Sequence, residues 1–406
     1  EPDNAICSEL LQSDVIYVWK SLVQCFTHTF RMLHLPPVRP MELPFETLFL
    51  RIQDDLEQKK GIVIIADGDP LYFGIAATVK NAFPNAPLRI LPQISSMQVA
   101  CARCHLPWSM LQHISFHGRD SFSDLFAALG TGANICVLCD DAHSPNLIAK
   151  YLLERDLCNL TFHTFSKLCS PHEQYTRTPL ENFATKPLSE ECVASPCILL
   201  IEKTHPSPHP CLGLPETRQK TYASNIAVRA TALALLQIHA TDTVWDVGAG
   251  SGSVALEACS LAHRGRVFAV EENSDRVQQI RANRARFGAC TLEIVQAHAP
   301  NCFGQMPRPN AVFLGGGLSN DPFPLLEALY QALLPGGRLV ASCVLFTTLH
   351  NVQAFFKKKA QATEILELTV ARSKPLGCDM HLKAENPVFL ISYKKENIDA
   401  SEKEHQ

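Results

Sequence analysis

The chain has 406 residues, 46% of them hydrophobic and 19% charged, with a formal net charge of −4. That length suggests two or three domains, each able to bury a core of its own. The near-neutral balance gives no general argument for nucleic acid or a membrane surface as partner, and no run of about 18 apolar residues signals a spanning helix. No secretory signal is visible. The 16 cysteines are scattered, and many, such as Cys259, Cys302 and Cys343, lie inside apolar runs. Buried free thiols in a reduced, cytoplasmic protein are therefore expected. Two C-x-x-C pairs occur, Cys101/Cys104 and Cys136/Cys139. The first reads as helical and the second lies in a strand-like run, where positions i and i+3 face opposite ways, so no metal site is expected.

In chain order, residues 5–26 and 44–58 have helical spacing. Residues 61–66 form a buried apolar run ending in Asp67-Gly68-Asp69-Pro70. Helical spacing returns over 74–83, a strand over 88–91, and a helix over 95–104. A strand over 134–139, a helix over 146–155 and a strand over 197–202 follow. This alternation predicts an α/β domain over residues 1–203. The proline-rich stretch at 204–211 reads as a linker. A second α/β unit is expected over 212–396, with strands at 243–247, 266–270, 292–296, 311–314, 337–342 and 387–393. Residues 397–406 read as a solvated tail.

The most informative run is Val244-Trp245-Asp246-Val247-Gly248-Ala249-Gly250-Ser251-Gly252-Ser253. It reads as a buried strand that breaks into a glycine turn and opens a helix. The glycines let backbone amides approach a ligand closely. The next apolar run ends in Glu271, where an acid can accept both ribose hydroxyls. The spacing is G-x-G-x-G, with Ser253 where a dinucleotide site would carry its third glycine. A carboxylate at Asp246 would repel a pyrophosphate and attract an ammonium group. The pattern therefore favours S-adenosyl-L-methionine over a nicotinamide dinucleotide.

Three further segments occur in order: Gly68-Asp69-Pro70 after a buried strand, Pro92-Gln93-Ile94-Ser95-Ser96, and His117-Gly118-Arg119. With these residues the first half resembles a tetrapyrrole (corrin/porphyrin) methyltransferase domain. The second half resembles the decarboxylating methyltransferase that joins it in cobalamin biosynthesis. That likeness rests on Val228-Arg229-Ala230, the glycine turn, Glu271, Ala299-Pro300, Gly315-Gly316-Gly317 and Glu385-Asn386-Pro387-Val388. The chain thus resembles the fused precorrin-6Y C(5,15)-methyltransferases (decarboxylating) and their cobalt-precorrin counterparts. The implied fold is α/β in two domains, tetrapyrrole-methylase-like and then Rossmann-like class I methyltransferase.

The resemblance implies S-adenosyl-L-methionine-dependent methylation of a precorrin or cobalt-precorrin at carbons 5 and 15, with loss of the ring C acetate carboxyl. It implies donor-binding residues Ser224, Asp246, Gly248, Ala249, Gly250, Ser251, Gly252, Glu271 and Ala299 in the second domain. In the first it implies Gly68, Asp69, Pro70, Ser95 and Ser96. Arg229, Arg119, Gly316 and Gly317 are the candidates for contact with the substrate, together with His117. The implied partners are the small-molecule substrate and further copies of the chain, with no nucleic acid and no membrane.

Three departures from the family pattern stand out, one being Ser170-Pro171 where the first domain usually has paired glycines. No strand with a Gly-x-Gly-Pro-Gly-like loop is read before Ala5, so the first domain is expected to lack its first strand. Ser224-Asn225-Ile226-Ala227 stands where the family has Thr-Lys-x-Glu. A methyltransferase of another substrate and a non-catalytic tetrapyrrole-binding protein are the alternative readings.

Overall fold

The computed structural model describes residues 4–396 except 21, 24–33, 119, 121, 194–195, 205–209, 215–224, 319–320 and 360. The tail, most of the linker, Arg119 and Ser224 thus lie outside the described residues. The chain forms two compact units, Glu1–Trp108 and Ser109–Gln406.

In the first unit, helix α1 (Asn4–Gln12) leads into strand β1 (Val15–Trp19). β1 is the middle strand of a parallel sheet, between β2 (Val38–Met41) and β3 (Ile62–Ile65). The helix read over 5–26 is thus interrupted by a strand at Val15–Trp19, and the first strand that was expected to be missing is present as the middle of this sheet. The run Val-Ile-Tyr-Val-Trp consists of β-formers and is buried on both faces, so it shows no alternation to separate it from a buried helix. Helix α2 (Phe45–Glu57) buries Leu48, Ile52 and Asp55 at three- and four-residue spacing. The Asp55 carboxylate accepts from the Tyr17 hydroxyl at 2.7 Å and from Lys60 at 3.0 Å, which satisfies a charge that would otherwise be costly inside. Helices α3 (Ile75–Ala82) and α4 (Ser96–Cys104) follow. The strand expected at 88–91 does not form. Pro87 and Pro92 bracket that run, no described strand pairs with it, and Leu88 is exposed.

The second unit holds two large sheets. The first runs β4 (Leu111–Ser115), β5 (Asn134–Cys139), β8 (Cys197–Lys203), β6 (Leu160–Ser166), β7 (Gln174–Pro179) in spatial order. Helices α5 (Phe122–Gly130) and α6 (Pro145–Leu153) bury their apolar faces against it. Strands β4, β6 and β7 were absent from the sequence reading. His113, Arg177 and the alternating polar residues of β7 obscure the pattern there.

The second sheet contains β9 (Thr243–Val247), β10 (Arg266–Glu271), β11 (Leu292–Gln296), β12 (Ala311–Leu314), β13 (Arg338–Cys343), β14 (Thr363–Leu368) and β17 (Val388–Lys394). Their spatial order is β11-β10-β9-β12-β13-β17-β14. The first five are parallel; β17 is antiparallel to both β13 and β14. Alternate residues feed two cores. Val244, Val267, Phe313 and Val340 face one side, and Trp245, Phe268, Val312 and Leu339 face the other. Helices α7 (Ile226–Leu236), α8 (Ser253–Leu261), α9 (Ser274–Phe287), α10 (Phe323–Ala332) and α11 (Phe346–Lys358) connect the strands. The strand order reverses beside β9, and ligands of such sheets bind beyond the carboxyl ends at that point. Between β14 and β17 the chain makes a separate hairpin, β15 (Ala371–Leu376) and β16 (Asp379–Ala384).

The two sheets of this unit are tied together across the proline-rich stretch. Arg284 donates to Asp156 at 2.7 Å and to the Glu154 carbonyl at 3.1 Å, and Arg155 donates to Glu293 at 2.8 Å. Cys290 is buried in one apolar cluster with Phe126, Leu129 and Ile201. These contacts are why compactness divides the chain at Trp108 rather than at residues 204–211.

Candidate functional site

The site of the second unit is built at the carboxyl end of β9. Val247 is the last strand residue, and Gly248, Gly250 and Gly252 then take φ of +71°, +58° and +75°. L-residues rarely adopt that region, so the glycines are what permits the turn. Gly248 and Ala249 both donate to the Val270 carbonyl, at 3.0 and 3.1 Å, and Gly252 closes on Ala249 at 2.8 Å. Ser251 is buried, and its carbonyl accepts from Asn283 at 3.1 Å.

Two buried carboxylates flank this turn. Asp246 accepts the Ala255 amide from α8 at 2.9 Å. Glu271 accepts the Gly250 amide at 2.8 Å with one oxygen and the Asn273 amide at 3.1 Å with the other. Asp246 is only 1% exposed. Burial pushes its acid up to about 7; the Ala255 amide works against this and the charge of Glu271 adds to it. A cation entering between these two acids would offset the cost of their buried charge and their mutual repulsion. The residues present therefore suit the positively charged alkyl donor that the sequence pattern favours.

The neighbouring strands close the site. Gly315 donates to the Val247 carbonyl at 2.9 Å, which sets the Gly315-Gly316-Gly317 segment directly against Gly248. Gly317 has φ +79°. Ala297 donates to the Glu271 carbonyl at 3.2 Å, and Ala299 packs on the core beside Val295 and Trp245. His298 is exposed and pairs with Glu272 at 2.7 Å. The structure thus brings Asp246, Gly248, Ala249, Gly250, Ser251, Gly252, Glu271, Gly316 and Gly317 to one edge of the sheet.

Arg229 does not join them as a substrate-facing cation. It is 1% exposed and turned inward, with Nε on Glu257 at 2.8 Å and a terminal nitrogen on the Leu214 carbonyl at 2.7 Å. Glu257 in turn accepts the Leu214 amide at 3.1 Å. The pair grips both backbone groups of Leu214. Glu257 was missed as a partner, although a lone acid inside Val254-Ala255-Leu256-Glu257-Ala258 is itself a sign of a buried pair. Asn225 caps α7 by accepting the Ala227 amide at 2.8 Å, and its own amide reaches Glu385. The residue in the family's lysine position is thus employed locally, with the acid of the Glu385-Asn386-Pro387 motif.

In the first unit, the Gly-Asp-Pro loop and the Ser-Ser helix start do meet. Asp69 accepts the amides of Leu71 at 2.8 Å and Tyr72 at 3.2 Å, and with its other oxygen that of Gln93 at 3.2 Å. Gly68 has φ +67°, and a Cβ there would lie 3.8 Å from Ser95 and Ser96. Ser95 is buried and forms a capping box with Gln98, leaving the first amides of α4 ordered beside the loop. Pro70 packs so closely under Gly74 that a Cβ at Gly74 would stand 2.5 Å from the Pro70 carbonyl. The residues after β1, Lys20-Ser21-Leu22, contain no glycine. In the second unit His117 and Gly118 follow β4, and the Ser115 hydroxyl accepts the His117 amide at 3.3 Å.

The sequence profile of the precorrin methyltransferase domain matches residues 220–395, and that of the tetrapyrrole (corrin/porphyrin) methylases matches residues 8–184. A Sinorhizobium precorrin-6Y C(5,15)-methyltransferase (decarboxylating) is 28% identical over 346 residues, 82% of this chain and 80% of its own length. The Mycobacterium tuberculosis protein of the same description is 30% identical over 286 residues, 69% of this chain and 70% of its own. A crystal structure of a precorrin-6Y C5,15-methyltransferase from Geobacter metallireducens is 31% identical, with a TM-score of 0.42 over 44% of this chain and 94% of that one.

Proposed function

The chain belongs to the family of precorrin-6Y C(5,15)-methyltransferases (decarboxylating), and from that premise we infer that S-adenosylmethionine-dependent methylation of a precorrin at carbons 5 and 15, with decarboxylation, is its own reaction. The observation that carries this reading is the buried pair Asp246 and Glu271 on either side of the glycine turn. When bound, the donor supplies an electrophilic methyl group on a sulfonium. We assign Asp246 to its ammonium group, through water, and Glu271 to its ribose hydroxyls. Gly248, Ala249, Gly250, Ser251 and Gly252 supply the backbone that lies along it, and Ala299 packs on its adenine. Ser224 completes this set.

A meso carbon of a reduced tetrapyrrole is enamine-like and already nucleophilic. Its electron pair forms the new bond to carbon as the bond from methyl to sulfur breaks, and the sulfur leaves as a neutral thioether. The protein's main task is alignment, which by itself supplies a large part of such an acceleration. Gly316 and Gly317 offer the flat substrate an edge without side chains. Arg229 acts from behind, by positioning Leu214. We assign methylation at carbon 15 and decarboxylation to residues 212–396. We assign methylation at carbon 5 to residues 1–203, with Gly68, Asp69, Pro70, Ser95 and Ser96 of the first unit holding its donor.

Among the described residues fifteen cysteines are free, and no helix is long and apolar enough to cross a membrane. We take the protein to act in the cytoplasm as a homo-oligomer. Incubation with precorrin-6Y and the donor, followed by mass spectrometry, tests the reaction. Two added methyl groups and one lost carbon dioxide are expected. Donor bound without any mass change in the macrocycle would defeat the reading.

A further inference from the structure

The hairpin β15–β16 has two unlike faces. Its register sets Arg372 opposite Lys383 and Lys374 opposite His381. Residues opposite one another share a face, and alternate residues along a strand return to it. One face therefore collects Arg372, Lys374, His381 and Lys383, with Leu376 and Asp379 at its turn end. The other carries Ser373 opposite Leu382 and Pro375 opposite Met380. The hairpin lies almost wholly in solvent. Like charges placed opposite one another destabilise a strand pair, and a two-stranded hairpin alone is marginal in water. Arg372 is held by Glu385 at 2.8 Å. Among the described residues no carboxylate pairs with Lys374 or Lys383.

The placement of the hairpin gives this face a use. Leu368 of β14 lies opposite Val388 of β17, and Phe389 lies opposite Cys343 of β13. The root of the hairpin is thus at the carboxyl edge of the parallel strands, the edge that carries the glycine turn. From β9 to β17 there are three strand spacings, roughly 14 Å. Glu385, at the root, accepts the Asn225 amide at the start of α7. Between the two lies the exposed apolar ledge Val344-Leu345-Phe346, whose Phe346 ring meets Phe389 at 5.5 Å.

We propose that the basic face of the β15–β16 hairpin binds the side-chain carboxylates of the tetrapyrrole substrate, while the Val344–Phe346 ledge takes part of its flat apolar surface. The proposal rests on the reading of the site given above. A polycarboxylated macrocycle matches both surfaces at once: anionic groups at its rim relieve the opposed cations, and its face covers the ledge.

The test uses the full chain and two ligands. Uroporphyrin, an octacarboxylated porphyrin, serves as the probe for the hairpin, read by its fluorescence. S-adenosylmethionine calorimetry and methylation of precorrin-6Y by the unaltered chain read the assigned function separately. The double variant Lys374→Glu/Lys383→Glu should weaken uroporphyrin binding and raise the KM for precorrin-6Y by roughly tenfold at low salt. The difference should shrink at high salt, while kcat and donor affinity stay unchanged. Lys374→Arg/Lys383→Arg should keep the unaltered values. An unchanged porphyrin affinity and KM in the charge-reversed chain, with donor binding intact, would overturn the proposal alone. So would a change confined to its sedimentation. Failure of donor binding and methylation in the unaltered chain would instead strike the functional reading.

Discussion

Gly248 and Gly316 stand backbone against backbone: a Cβ on Gly248 would lie 2.7 Å from the backbone nitrogen and Cα of Gly316. The relation is not symmetric. A Cβ on Gly316 would meet Gly248 at 3.5 Å, an ordinary contact. The turn after β9 can therefore nest against the segment after β12 only if its first residue lacks a side chain.

Gly248→Ala should cost about 2–4 kcal/mol, because it adds a clash with backbone to a positive φ. Urea unfolding should show this, together with loss of donor binding. Gly316→Ala should stay within about 1 kcal/mol of the unaltered chain. Its donor affinity should be unchanged, and a raised KM for the macrocycle would place that glycine at the substrate. An equally damaged Gly316→Ala protein would contradict the asymmetry.

Asp246 makes donor binding depend on pH. Its folded pKa, pushed up to about 7 chiefly by burial, falls when a cation arrives. Donor affinity should therefore climb roughly tenfold per pH unit as pH rises toward 7, and level off above it. Calorimetry across that range checks the slope; a flat profile would remove Asp246 from contact with the donor's charge.

The same residue sets a stability profile of opposite sense. The folded pKa lies above the unfolded one, so its contribution is complete below about pH 4 and is lost as pH rises through about 7. Asp246→Asn should thus melt higher than the unaltered chain at pH 8 by several degrees (roughly 2–4 °C per kcal/mol), and show little gain near pH 4. Donor binding should be lost at both. A melting point that falls at pH 8 would mean that the Ala255 bond outweighs the burial.

Arg229 and Glu257 should behave as a unit. Either partner alone leaves a buried charge, so Arg229→Leu and Glu257→Leu should each cost about 3–5 kcal/mol. The double variant should recover much of that loss, since two apolar groups replace a buried pair. Arg229→Lys should rescue poorly, because one ammonium cannot reproduce a fork that spans Glu257 and Leu214. A double-mutant cycle on unfolding free energies measures the coupling; additive losses would refute it.

Asp69 should separate the two methylations. Its carboxylate holds three backbone amides between the Gly-Asp-Pro loop and the segment before α4. Asp69→Ala should destabilise the first unit by about 1–3 kcal/mol. Mass spectrometry should then find product decarboxylated and methylated at carbon 15 but not at carbon 5. Loss of both methyl groups together would contradict independent sites.

The fold class, the second sheet's central strands and the glycine turn were legible in the sequence. Their signals are local: apolar runs of strand length, and glycines where the backbone must take a positive φ. Gly-Asp-Pro and Ser95-Ser96 were grouped only by the family resemblance, and their meeting is made by the fold. Other features needed the folded chain. Val15–Trp19 became a central strand because both its faces are covered, and a doubly buried strand leaves no periodicity to read. The strand expected at 88–91 finds no partner strand among the described residues, and Leu88 stays exposed. Arg229 looked like a ligand for a carboxylate, yet its carboxylate is Glu257, brought to it by packing of α7 on α8. The opposed cations of the β15–β16 hairpin share a face only through their register. Local chemistry is written residue by residue, whereas a partner distant in the chain is chosen by how helices and strands pack, and that choice decides which charges face inward and which remain for a ligand.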